Sequence, residues 1–122
     1  MSTLSTIGLI FLGGGLGSLS RYGVGRLSLQ FYQGKFPVWT IAANFLACLV
    51  LGITLFLLKE KMASHEWVKY LVIIGFCGGF STFSTFSLET VRLVQDGLLT
   101  MAILNILISL ALGVGILWVL VR

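Results

Sequence analysis

Three short polar stretches, Gln30 to Pro37, Lys59 to Glu66, and Asp96 with Gly97, divide the sequence between Leu4 and Leu120 into four largely apolar runs. Each run between them is close to twenty residues or longer, the length an α-helix needs to cross the ~30 Å hydrocarbon core of a bilayer. Four such runs read as four transmembrane helices, and the chain as an all-α integral membrane protein. Hydrophobic residues make up 57% of the 122 and charged residues 10%. The mean hydropathy of +1.06 lies far outside the range of a soluble domain. On this reading residues 1–122 form a single transmembrane domain, with connections too short to hold a soluble catalytic unit. No charged segment precedes the first apolar run and no small-residue cleavage site stands out, so the first span is expected to be a retained helix.

The first span covers about residues 4–29 and stops at the breakers Gln33, Gly34 and Pro37. Pro37, the only proline, suits the first turn of a second span at about 37–58, where its missing N–H costs no hydrogen bond. Trp67 and Tyr70 look like interfacial anchors opening a third span at about 67–94. That span is too long. As one straight α-helix it would extend roughly 42 Å at ~1.5 Å per residue, against a ~30 Å core. Gly78 and Gly79 fall near its middle, so a break is expected near 78–82. Asp96 and Gly97 then turn the chain into a fourth span at about 98–120.

Lys and Arg divide evenly between the two sides. Lys59, Lys61, Lys69 and Arg122 share the side of the N-terminus, and Arg21, Arg26, Lys35 and Arg92 take the other. Orientation follows an excess of these residues on one side, and none is evident. Identical chains inserted both ways would allow an antiparallel, dual-topology homodimer; a weak bias hidden by the span boundaries is the competing reading. Cys48 and Cys77 lie within spans, lack a CxxC partner, and read as small buried hydrophobes. His65 sits in a charged loop beside Glu66 and is a poor metal ligand. With no His/Cys/carboxylate cluster, Walker-type loop or Ser/His/Asp set, enzymatic chemistry is not expected.

Polar groups at membrane depth need an internal partner, a wet cavity or a ligand. The run Gly78 to Ser87 interleaves serines and threonines with phenylalanines inside the third span, and reads as the lining of a path for something small and hydrated. Thr82, Thr85 and Glu89 are spaced i, i+3, i+7, which puts them on one face of a regular helix. Phe83 and Phe86 flank that stripe, and the positive edge of each ring attracts a small anion. Asn44 serves either as glue between helices or as an N–H donor to a passing anion. Asn105, Ser109 and Gly113 make a narrow stripe on the fourth span that serves as a packing seam or as a wall facing the third. Gly13, Gly14, Gly15 and Gly17 read chiefly as a close-packing surface. Arg21 and Glu89 either pair with opposite charges or, for Arg21, concentrate anions at a cavity mouth.

The Gly78 to Ser87 run, the glycine-rich first span ending Gly17-Ser18-Leu19-Ser20-Arg21-Tyr22, and Asn44 with Phe45 together resemble the Fluc (CrcB-type) fluoride ion channels. The likeness covers essentially the whole chain. It implies an antiparallel dual-topology homodimer in a prokaryotic plasma or inner membrane, with two separate fluoride pores and a structural Na+ at the dimer centre. It further implies that Phe83 and Phe86 line the fluoride path, that Asn44 is the pore amide, and that Ser84, Thr85 and Glu89 form a polar track. Gly78 and Ser81 would lend backbone carbonyls to Na+, and Arg21 would stand near the vestibule. Ser109 carries over on the fourth span, whereas Asn105 and Gly113 depart from the family's Tyr and Ser there. Fluoride is strongly hydrated, so a selective pore must replace water with close donors while holding the ion loosely enough to release it. A small multidrug-type proton-coupled exporter shares the size and layout but needs a carboxylate in the first span, and this one has none. A purely structural membrane subunit would leave the hydroxyl run without a purpose.

Overall fold

The computed structural model describes all 122 residues, Met1–Arg122, and every element in it is helical. Helix α1 spans Thr3–Phe31 and is capped by Ser2, whose hydroxyl accepts the Ser5 N–H at 3.1 Å. Helix α2 spans Val38–Leu58 directly after the buried Pro37, which stands at the cap rather than inside the first turn. A short 3-10 turn, Lys59–Lys61, ends it. The third span opens at Glu66–Val68, continues as a π-helix over Lys69–Cys77, and closes with Gly78–Phe80; this composite is α3. Helix α4 is Phe83–Gln95 and helix α5 is Leu99–Val121. Four helical stretches are thus long and apolar enough to cross a membrane: Thr3–Phe31, Val38–Lys61, Glu66–Gln95 and Leu99–Val121.

The turn between α4 and α5 follows from one residue. Gly97 has φ +77°, the left-handed conformation that favours glycine. With it there, Gly97 N–H donates to Val94 O at 3.0 Å and Leu98 N–H reaches back to Leu93 O at 2.8 Å. That pair of bonds is a Schellman motif, which satisfies the last carbonyls of α4 without water.

A seam of glycines holds α1 to α3. Gly13 faces Gly75, Gly14 faces Gly79 and Gly17 lies on the backbone of Phe76 and Phe80, and both Gly13/Gly17 and Gly75/Gly79 carry the four-residue spacing that lets membrane helices approach backbone to backbone. A Cβ on Gly13 would overlap Leu71 O, one on Gly17 would overlap Phe76 O, and one on Gly79 would overlap Gly14 O. Gly15, by contrast, has nothing within 4 Å of the position a Cβ would take. Gly79 is therefore spent on packing rather than on flexibility, and Gly78 is helical too, with φ −64° and ψ −38°. Along the seam the π-helix widens α3, with Gly75 lying 3.0 Å from Gly13 Cα by the same measure.

The remaining contacts are small-to-large. Gly52 of α2 receives Leu117 and Leu120 of α5, and Gly113 of α5 sits against Cys48 Sγ. Ala43, Ala47 and Phe80 form the inner cluster, with Val24, Leu46 and Phe76 around it. Only 14 of 122 residues are buried in the single chain, so most of its apolar surface must meet lipid or another protein surface. Replacing Gly17 by Ala should lower the melting temperature in detergent, by roughly 1–3 kcal/mol of stability for overpacking a tight contact. Gly15→Ala should leave it unchanged, and equal melting of the two variants would remove the seam from the account.

Candidate functional site

Ser81 (φ −81°, ψ 157°) and Thr82 (φ −150°, ψ 118°) have extended backbone between α3 and α4. At membrane depth such residues need partners from elsewhere in the protein. Asn44 on α2 supplies them: its Oδ1 accepts the Thr82 N–H at 2.7 Å, and its Nδ2 donates to Thr82 O at 3.3 Å. Thr82 in turn caps α4, its hydroxyl accepting the Thr85 N–H at 3.2 Å. Ser81 bonds back to Cys77 O with both its N–H, at 3.0 Å, and its hydroxyl, at 2.8 Å. Arg21 Nε donates to Gly79 O at 3.2 Å, which sets a cation at the C-terminal end of α3 where the helix dipole favours it.

These exchanges deprive two carbonyls of their helical donors. In a continuous helix Gly78 O would accept the Thr82 N–H, and Ser81 O the Thr85 N–H. Here the first N–H goes to Asn44 and the second to the Thr82 hydroxyl.

Three cavities lie between the start of α2 and the second half of the third span. Asn44, Cys48, Ser81, Thr82, Phe83, Phe86, Ser109 and Leu110 enclose about 250 Å³. Ser18, Arg21, Tyr22, Gly25, Trp39, Thr40, Ala43, Thr82 and Thr85 line a second, more polar space of about 360 Å³. A third, of about 200 Å³, lies among Lys35, Pro37, Trp39, Glu89, Arg92, Leu93 and Asp96. Thr82 belongs to the first two and Trp39 to the last two. The three spaces are therefore neighbours, with Thr82 between the first two and Trp39 between the last two.

In the first cavity the rings of Phe83 and Phe86 are 6.0 Å apart and inclined at 45°. The Asn44 amide keeps one N–H beyond the one given to Thr82. Ser109 Oγ donates to Asn105 Oδ1 over a long 3.3 Å, a bond its rotor can exchange for one to an ion. Behind it, Asn105 Nδ2 donates to Thr90 Oγ1 at 3.0 Å and Thr90 Oγ1 donates to Phe86 O at 2.8 Å. Asn105, at 0% exposure, is thus a support for Ser109 and Phe86. Gly113 admits Cys48, whose half-buried thiol is part of the cavity wall.

The polar stripe expected along Thr82, Thr85 and Glu89 is divided. Thr82 precedes α4 as its cap, Thr85 faces the Arg21 cavity, and Glu89 faces the Lys35 cavity. Ser84 bonds only to Thr82 Oγ1, at 3.3 Å, and lines none of the three spaces. Neither Arg21 nor Glu89 is ion-paired; the chain's one salt bridge joins Lys35 to Asp96 at 3.8 Å. Glu89 Oε2 instead accepts Trp39 Nε1 at 2.6 Å, and Oε1 is buried without a partner.

Three contributors escaped the sequence reading. Thr90 continues the Phe83 and Phe86 face at i+7 from Phe83, a signal that was available. Trp39 and Thr40 carried none: no spacing links Trp39 to a carboxylate fifty residues on. Removing the Asn44 amide tests the central arrangement. Asn44→Ala leaves the Thr82 N–H unsatisfied, which costs roughly 1–3 kcal/mol. The variant should melt earlier in detergent, and its Thr82 amide should exchange hydrogen faster. Unchanged exchange at Thr82 would show that Asn44 does not hold it.

The chain was compared with known proteins. The family described as CrcB-like protein, Camphor Resistance (CrcB), matches residues 8–121. A protein of Solibacter usitatus named fluoride-specific ion channel FluC is 36% identical over 110 residues, covering 90% of both chains. One of the same name from Coxiella burnetii is 39% identical over 111 residues, again 90% of both. A third, from Flavobacterium psychrophilum, is 37% identical over 115 residues, 94% of this chain and 93% of its own. With a family match over nearly its full length and relatives above a third identical, the chain belongs to the CrcB family.

Proposed function

We propose that this multi-pass membrane protein is a fluoride-selective channel that lets F− leave the cytoplasm passively and so protects the cell from fluoride. The observation that carries the reading is the cavity where Asn44, Phe83, Phe86 and Ser109 meet. It offers an amide N–H, a hydroxyl and ring edges, the donors that replace water around a small hard anion. Relatives named fluoride-specific ion channels support the choice of ion. The Arg21 cavity next to it raises the local concentration of anions. Because Thr82 borders both spaces, an ion passes from one to the other beside the extended backbone. The donors of the Phe83 cavity are all neutral, which keeps binding shallow enough for release. The proton-coupled exporter has no support, since α1 carries no carboxylate to exchange protons.

Phe83→Ile and Phe86→Ile keep apolar bulk and remove the ring edges. Fluoride efflux from liposomes holding only the purified chain, followed with a fluoride electrode, should fall at least tenfold in each variant. Efflux equal to the unsubstituted chain in both would take the rings out of the mechanism, and absence of fluoride efflux from the unsubstituted chain would end the proposal.

The working unit in this reading is an antiparallel homodimer of oppositely inserted copies. Two observations support a partner: the Phe83 ring is 79% exposed in the single chain, leaving one side of its cavity open, and the subunit core is thin. The balance of Lys and Arg supports opposite insertion. A Na+ would lie between the copies, held by Gly78 O and Ser81 O. These carbonyls fit it chemically, because both have lost their helical donors and are neutral oxygens suited to a hard monovalent cation. Its part is to compensate carbonyl dipoles, outside the path of fluoride. Adding two or three lysines to one side of the chain should force one orientation and abolish efflux, and co-expression with a copy biased the opposite way should restore it. Full activity of a singly biased chain would favour a parallel arrangement.

A further inference from the structure

Outside the fluoride pathway, the largest cavity is a groove of about 530 Å³ between α2 and α5, well within the range of small-molecule sites, roughly 300–1,000 Å³. Leu51 and Leu55 form one wall, four residues apart on α2, and Val114, Leu117, Trp118 and Val121 form the other at i, i+3, i+4, i+7. Arg122, at i+8, closes one end. That end is also where α2 finishes in Lys59 and Lys61, since α2 and α5 run in the same direction and pack along their lengths. Neither lysine nor Arg122 has a carboxylate within salt-bridge distance, and Glu60 is the only acid among them. The groove is therefore apolar along the membrane and cationic at its mouth.

We propose that this groove holds one acyl chain of an anionic phospholipid, whose headgroup phosphate is bound by Lys59, Lys61 and Arg122. The argument is charge complementarity joined to shape. An acyl chain alone would sit against any lipid-facing helix, but a cleft that ends at Arg122, with Lys59 and Lys61 following at the end of the neighbouring α2, selects a negatively charged headgroup. Trp118, 70% exposed beside the groove, reports on what fills it.

The test uses the full chain in phosphatidylcholine vesicles that contain either phosphatidylglycerol or phosphatidylcholine with brominated acyl chains, at equal mole fraction. The Trp118 signal is taken as the difference between the unsubstituted chain and Trp118→Phe. Brominated phosphatidylglycerol should quench it at least threefold more strongly, and the combined change Lys59→Gln, Lys61→Gln, Arg122→Gln should equalise the two lipids. Val114→Phe, which narrows the groove and leaves the cations in place, should reduce quenching by phosphatidylglycerol toward the phosphatidylcholine value. Equal quenching in the unsubstituted chain would mean ordinary surrounding lipid only and overturn the site. Protection of Trp118 from both lipids would mean that a second copy of the chain covers the groove, with the same consequence.

Discussion

A bilayer interior offers no water to an interrupted helix, and the structure depends on how this chain meets that condition at Ser81 and Thr82. One side chain on another helix answers it. Asn44 presents an acceptor and a donor to the N–H and C=O of Thr82, as a neighbouring strand would, while the Thr82 hydroxyl starts the next helix. The two Asn44 bonds tie α2 to the third span and free the carbonyl of Gly78, and the Thr82 cap frees that of Ser81. The amide that completes the backbone also reaches the cavity wall with its second N–H. Of the two roles posed by the sequence, the bonds to Thr82 show Asn44 as the link between helices, and its place in the cavity wall is what the proposed donor role rests on.

The other constraint is closeness. Arg21 reaches Gly79 O because α1 lies against α3 without side chains between them. On the far side, Asn105 is held at zero exposure by Thr90 and Ser109, which fixes α5 against α4 after a turn that only Gly97 permits. Each wall of the cavity series therefore rests on one close helix pair, and the two pairs meet through Asn44.

The four spans were legible because uninterrupted apolar runs leave a membrane chain few choices. Gly13 and Gly17 announced themselves by density, whereas Gly75 stands alone in sequence and became meaningful only opposite Gly13. The adjacent Gly78 and Gly79 drew attention to themselves as the point of weakness, yet both are helical and the extended residues are Ser81 and Thr82. Two hydroxyl residues with a cap to offer α4 decided the matter there. The π-helix over Lys69–Cys77 left no mark in composition. Pairings such as Trp39 with Glu89 join residues far apart in the chain, and a single sequence holds no information on them.

The glycine seam between α1 and α3 also determines the mechanics of the protein. Where backbones touch directly, no rotamers exist to absorb a displacement, so the two helices recoil together as one stiff beam. Helix α5 has the opposite character: its outward face is a row of long, exposed leucines and isoleucines. The two walls are therefore unlike in kind: the Arg21 side is backbone laid on backbone, and the Ser109 side is joined through side chains.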